Sequence, residues 1–242
     1  MLDSPPSRPG WPWASTEVEG PLQPRGTSQA PPSHQTMPKP TSFKLLVLRA
    51  GPSAWESDGR IVGASDLPMT DEGRDEIARE IDEMPDDGLS VILSAGDEAS
   101  QQTAKLLRNG TGVKVKTVRG LGEVGLGLWE GVLGADLEER FPTIYKQWLD
   151  DPSSVRAPEG EAFSDAQDRV LTELAKALEK TKGETPSIGV VVRPLVAGII
   201  RSFLDGKAAN ELWDVALQRV SRSELTREAL LGILERSGAK AS

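Results

Sequence analysis

Phe43-Lys44-Leu45-Leu46-Val47-Leu48-Arg49-Ala50-Gly51 is the stretch on which the fold turns. The run Phe43 to Leu48 reads as a short apolar strand that delivers Arg49-Ala50-Gly51 into a turn. Downstream, helical and strand patterns alternate. Thr70-Asp71-Glu72-Gly73 reads as a helix start with acids in its first turn, and Ile77 and Ile81 supply its apolar stripe. Ser90 to Ser94 predicts a second strand, residues 97–108 a helix, and Val113 to Val118 a third strand. Helices are expected over 135–149 and 164–182, the latter opened by a Ser164-to-Gln167 capping box. Ile188 to Val192 is apolar throughout and predicts a buried central strand. A helix over Leu195 to Leu204, a strand near 213–220 and a helix over 223–236 complete the reading. The alternation implies an α/β fold of three layers, α/β/α, around a mainly parallel sheet. Ligands of such sheets sit beyond the carboxyl ends of the strands, where Arg49, Ser94 and Arg193 are predicted to fall.

Composition narrows the function classes. The 242 residues carry 28 Lys and Arg against 37 Asp and Glu, a formal net charge of -9. In the first 42 residues Asp3, Glu17 and Glu19 balance Arg8, Arg25 and Lys39, so the remainder carries the whole imbalance. A domain that acidic repels phosphate backbones, which argues against nucleic acid and anionic membranes as partners. Cysteine is absent and His34 is the single histidine, so neither a thiol nucleophile nor a zinc site is expected, and no cofactor is implied. No apolar run is long enough to span a bilayer and no signal-peptide pattern opens the chain, so the expected location is cytoplasmic.

Residues 1–41 read as a disordered Pro-rich tail holding about ten of the 18 prolines, and 42–242 as one domain. Trp11 and Trp13 are either a docking motif or incidental aromatics. Met37, directly before the first strand, is an alternative start.

The segment Arg49-Ala50-Gly51, Ser53, Trp55, Gly59-Arg60-Ile61, Asp66-Leu67-Pro68-Met69-Thr70 and Glu72-Gly73 resembles the opening of the histidine phosphatase superfamily, the phosphoglycerate-mutase-like fold. The order of Glu123, Gly127, Trp129-Glu130-Gly131, Glu138, Phe141-Pro142, Tyr145, Trp148 and Pro158-Glu159-Gly160-Glu161 extends the likeness, which runs from about Phe43 to Leu204. The resemblance implies a phosphate pocket of two histidines and two arginines with an acid beside them. It places the first arginine at Arg49 and the acid at Glu123. The phosphoryl-accepting histidine falls on Ala50, the second arginine on Ala99, before Gln101-Gln102-Thr103-Ala104, and the second histidine on Pro194.

An alanine methyl cannot take a phosphoryl group, so the resemblance implies a member without phosphohistidine chemistry. What it leaves is binding: Arg49, Gly51, Ser53 and Arg193 are the candidate anion site, with Ala50 and Ala99 making the pocket roomier and more apolar. The alternative arrangement pairs Arg49 with Glu123 and turns Arg193 to solvent or into a surface salt bridge. Three functions fit: a pseudoenzyme that binds a small anion or a protein partner, a weak hydrolase using Glu123 as general acid–base, or a structural dimerisation subunit.

Three other signals carry ordinary readings. The Gly122/Gly125/Gly127 spacing lacks the strand-to-helix context of a dinucleotide loop. Glu159 and Glu161 read as a solvated loop, and Trp129 and Trp148 as packing aromatics.

Overall fold

The computed structural model describes residues 39–238. Trp11, Trp13, His34 and Met37 therefore lie outside the described residues, as does nearly all of the tail expected over 1–41. Its last three residues belong with the domain. Pro40 is buried, and Thr41 donates its N–H to Glu184 and accepts from Arg227.

The strands are β1 Ser42–Arg49, β2 Val91–Ser94, β3 Val115–Thr117, β4 Ser187–Val192 and β5 Val220–Thr226. They form one sheet in the order β3-β2-β4-β1-β5. All neighbours run parallel except β5, which pairs antiparallel with β1. The helices are α1 Ala54–Ser57, α2 Asp71–Glu83, α3 Glu98–Thr111, α4 Gly134–Arg140, α5 Pro142–Asp150, α6 Phe163–Glu179, α7 Pro194–Asp205, α8 Leu212–Ala216 and α9 Arg227–Arg236.

The two-residue period of the strands divides the core. Phe43, Leu45 and Val47, with Val91, Leu93, Ile188, Val190 and Val192, pack toward α6, α7 and α9. Leu46, Leu48, Ile92 and Val191 pack against Ala104 and Leu107 of α3 on the other face. The sheet is thus covered on both faces, as the apolar runs of β1 and β4 require.

Local chemistry sets the ends of the helices. Thr70 Oγ1 accepts from Gly73 N–H at 3.0 Å to start α2, and Asp97 accepts from Ser100 N–H at 3.0 Å to start α3. Pro142 starts a new helix where one continuous helix is expected over 135–149, because proline cannot donate to the preceding turn but fits the first turn of the next. The expected capping box at Ser164 does not form. The helix begins at Phe163, whose ring is buried, and Ala162 is the N-cap with no side-chain bond.

The largest correction lies near the carboxyl end. The segment expected as a strand near 213–220 is α8, and the strand is β5. Leu212, Val215 and Ala216 are buried at helical spacing. Leu212 and Ala216 press against Gly198 of α7, where a Cβ would come within 2.9 Å of either side chain. Packing against α7 fits the helix, which so short an apolar run does not announce locally.

Candidate functional site

Strand register brings the two predicted cationic turns together. β1 and β4 run parallel with Arg49 beside Val192, so the chain leaves the sheet as Arg49-Ala50 and Arg193-Pro194 at adjacent points. Ala50 N–H donates to Val192 C=O at 2.8 Å, locking the two exits. Beyond them opens a cavity of about 380 Å³, whose lining includes Arg49, Ala50, Glu123, Arg193 and Pro194.

Glu123 is held by the first turn of α7. Pro194 has no N–H to offer, and the next two donors point at the carboxylate. Oε2 accepts from Leu195 at 2.9 Å, and Oε1 accepts from Val196 at 3.1 Å and from Val124 at 2.8 Å. A helix N-terminus favours a negative group, and here the protein supplies its own. Burial nevertheless dominates, pushing the Glu123 carboxyl up to about 7 against the opposing pull of these three N–H groups and of Arg193.

Arg193 is 2 % exposed. Its Nη2 pairs with Glu56 Oε2 at 3.1 Å, while its Nη1 is buried without a partner among the described residues. The same Glu56 oxygen accepts Ser53 N–H at 2.7 Å and Ser53 O–H at 3.1 Å. Arg49 is more isolated. Its Nε is buried and unpartnered, and no hydrogen bond or ion pair reaches its guanidinium among the described residues. Burial, then the positive charge of Arg219, lowers its pKa, while Glu56, Glu76 and Glu80 oppose the shift. Arg219 in turn is tied to Glu76 at 2.7 Å and Glu80 at 3.1 Å, and donates to Ala50 C=O at 3.3 Å.

One wall of the strand-end turn is dry. Ala50 and Ala99 pack with Met69 and Ile77 in a small apolar cluster. Met69 closes tightly on Gly51: a Cβ there would lie 2.0 Å from its sulfur, so a side chain at 51 would require Met69 to move. Ala50 lines the cavity; Ala99 lies behind it in this cluster.

Of the four residues expected to hold an anion, Arg49 and Arg193 face the cavity and the other two do not. Gly51 N–H is already bonded to Thr103 Oγ1 at 3.0 Å, and Ser53 is fully buried on Glu56. Ser94, the third strand-end residue, is likewise turned inward, its hydroxyl donating to Ala95 C=O and accepting from Gln101. The alternative pairing of Arg49 with Glu123 is not formed, and Arg193 is buried rather than solvated. Glu161 is no solvated loop residue: it forms a two-pronged pair with Arg169, at 2.9 and 2.7 Å, and Arg169 also holds the carbonyls of Gly120 and Gly122.

The profile of the histidine phosphatase superfamily, branch 1, matches residues 45–236. The chain belongs to this superfamily. A superfamily relative from Yersinia pestis, described as "Probable phosphoglycerate mutase GpmB", is 27 % identical over 201 residues, covering 81 % of this chain and 93 % of the relative. Among solved structures, Bacillus stearothermophilus YhfR superposes with a TM-score of 0.63 at 24 % identity, over 71 % of this chain and 84 % of that one. A mycobacterial glucosyl-3-phosphoglycerate phosphatase gives 0.63 at 20 % identity, over 76 % and 89 %. These superpositions establish that the superfamily fold spans most of the chain.

Sequence reasoning misses several residues of the superfamily-fold cavity. Glu56 had a signal, since Ser53-Ala54-Trp55-Glu56 has the capping-box spacing that puts a glutamate back on the turn. Trp213 and Leu217 line the cavity from a segment read as strand, and no local signal marks them. Trp148 is the edge-on neighbour of both Trp129, at 5.9 Å, and Trp213, at 5.0 Å. The Trp213 indole N–H donates to Trp148 C=O at 3.0 Å.

Proposed function

We propose that this chain is a binding protein built on the histidine phosphatase fold, without phosphohistidine chemistry, that takes an anionic group between Arg49 and Arg193. The observation that carries this reading is the state of Arg49. A guanidinium that is partly buried, carries an unbonded N–H and makes no hydrogen bond or ion pair among the described residues is held only by the longer-range pull of Glu56, Glu76 and Glu80 against the repulsion of Arg219. Buried donors are ordinarily satisfied, and one left open beside a cavity has the form of a site waiting for an acceptor. Arg193 Nη1 offers a second such donor on the same cavity.

The absence of catalysis follows from chemistry. Among the described residues, no histidine or cysteine lines the cavity. The resemblance puts the phosphoryl-accepting imidazole at Ala50, its partner at Pro194 and a second arginine at Ala99. Each lost charge-stabilising group typically costs about 3 kcal/mol of barrier, and the covalent route is removed outright. Glu123 alone, with its oxygens engaged by three N–H donors, supplies at most general acid–base help.

Two measurements test the reading together. Purified protein is expected to show no turnover of p-nitrophenyl phosphate above background. Sulfate or phosphate at about 100 times its dissociation constant should add about 2.7 kcal/mol of stability. Arg49→Gln should erase that ligand-induced gain while melting within a few degrees of the parent, since the side chain it removes makes no hydrogen bond or ion pair among the described residues. Hydrolysis that disappears in Glu123→Gln would instead establish the weak-hydrolase alternative. A parent protein indifferent to every anion would remove the binding reading.

A further inference from the structure

We infer that the anion bound here carries a flat apolar body: an aryl or similarly unsaturated phosphate, phosphonate, sulfonate or carboxylate, rather than a phosphorylated sugar. The inference rests on the proposed anion site at Arg49 and Arg193 and concerns what the rest of the cavity accepts.

Beyond the cationic end, the cavity is walled by Ile61, Val62, Leu126, Trp148, Trp213 and Leu217. Much of the polar capacity of the side chains in its lining is already engaged. Glu56 is taken by Ser53 and Arg193, Glu123 by three backbone N–H groups, and Arg60 Nη1 by Gly131 C=O at 2.7 Å. The Trp213 indole N–H is spent on Trp148 C=O. Among the described residues, Tyr145 is the one hydroxyl-bearing side chain in the lining. A polyhydroxylated body would leave most of its hydroxyls facing hydrocarbon, stripped of water with nothing in exchange. An aryl body has no such demand, and it gains from leaving water for a wall of aliphatic and indole surface.

Size agrees. A cavity of about 380 Å³ is more than twice the roughly 150 Å³ that holds a benzene ring, which leaves space for a bicyclic body and its anionic head. The mouth agrees too: Leu217 lines the cavity yet is 58 % exposed. An apolar residue left in water at the entrance is covered when an apolar ligand seats itself.

The test compares three non-hydrolysable or inert ligands by calorimetry: methylphosphonate, 1-naphthylphosphonate and glucose 6-phosphate. Naphthylphosphonate is expected to bind at least tenfold more tightly than either of the others. Arg49→Gln should weaken all that bind. Leu217→Asn, a neutral polar change at an exposed position, should lower the ratio of naphthyl to methyl affinity. Equal affinity for naphthyl and methyl compounds, or tighter binding of the sugar phosphate, would overturn the inference and leave the anion site standing. Failure of all three ligands to bind would overturn both.

Discussion

Arg201→Met is expected to remove about 3–5 kcal/mol of stability, the scale seen when one partner of a buried charged network is deleted. Arg201 is completely buried on α7. Its Nε donates to Ser221 Oγ at 2.8 Å, Nη1 to the carbonyls of Val215 and Gln218 at 2.6 Å each, and Nη2 to the carbonyls of Val47 and Arg219 at 2.9 and 3.3 Å. One side chain therefore ties α7 to β1, to the end of α8 and to the lead-in of β5. Methionine matches its bulk but offers none of its donors, so several buried carbonyls lose a partner at about 1–3 kcal/mol for the worst of them. Burial lowers the Arg201 pKa to about 10, with Arg49 adding to the shift, so the group stays charged at neutral pH. Relief of that repulsion returns part of the loss, but only part. For a domain of this size the expected drop in melting temperature is on the order of 10 °C. Lysine should rescue little, because one ammonium cannot span acceptors arranged for a planar fork. Ser221→Ala removes a single acceptor and should cost about 1 kcal/mol. Thermal and urea unfolding of the three variants decide it. An Arg201→Met protein within 1 kcal/mol of the parent would show that the network is ornamental.

The sequence carried most of the sheet and about half of the site, and the division has physical causes. Strands such as Ile188 to Val192 announce themselves because burial on both faces forces an unbroken apolar run, and the family motifs fix their order. Arg49 and Arg193 were legible because a parallel sheet sends its strand ends to one edge. Their partners were not. Glu56 reaches Arg193 only through the fold, across 137 residues of chain. The same holds for the role of Gly51, whose amide is claimed by Thr103 on α3. The α8 segment fails for the opposite reason: its short local pattern does not tell strand from helix, and the packing of Leu212 and Ala216 on Gly198 is a tertiary feature. Arg201 left one trace, the single charge within the mostly apolar stretch Leu195 to Leu204, and such a residue on a buried face demands a network.

Stability should fall as pH rises through neutrality, and Glu123 is the expected cause. Its carboxyl titrates near 7 in the fold against 4.5 for the ordinary group. An acid whose folded pKa is raised contributes fully below the unfolded value, and its contribution is lost as pH climbs through the folded one. Between pH 4.5 and about 8 this single group should therefore subtract about 3 kcal/mol. Glu123→Gln abolishes the titration. The amide keeps an oxygen for the Leu195 or Val196 N–H but turns its own N–H₂ toward a donor, costing about 1 kcal/mol at low pH. The variant is thus expected to start below the parent near pH 5 and to overtake it near pH 8. A His34→Gln background keeps the chain's one imidazole out of the titration. The same proton couples to the site. Arg49, Arg193, Glu56, Arg60 and Tyr145 share the cavity with Glu123, and an anion seated between the two inner arginines adds a negative charge beside it. Binding of sulfate, which does not itself titrate in this range, should take up a fraction of a proton near pH 7 and tighten as pH falls toward 6. Calorimetry in two buffers of different ionisation enthalpy reads that uptake directly, and Glu123→Gln should flatten it. Parallel stability curves for parent and variant from pH 5 to 8 would show that the helix N-terminus and Arg193 hold Glu123 ionised throughout, and that burial loses the contest.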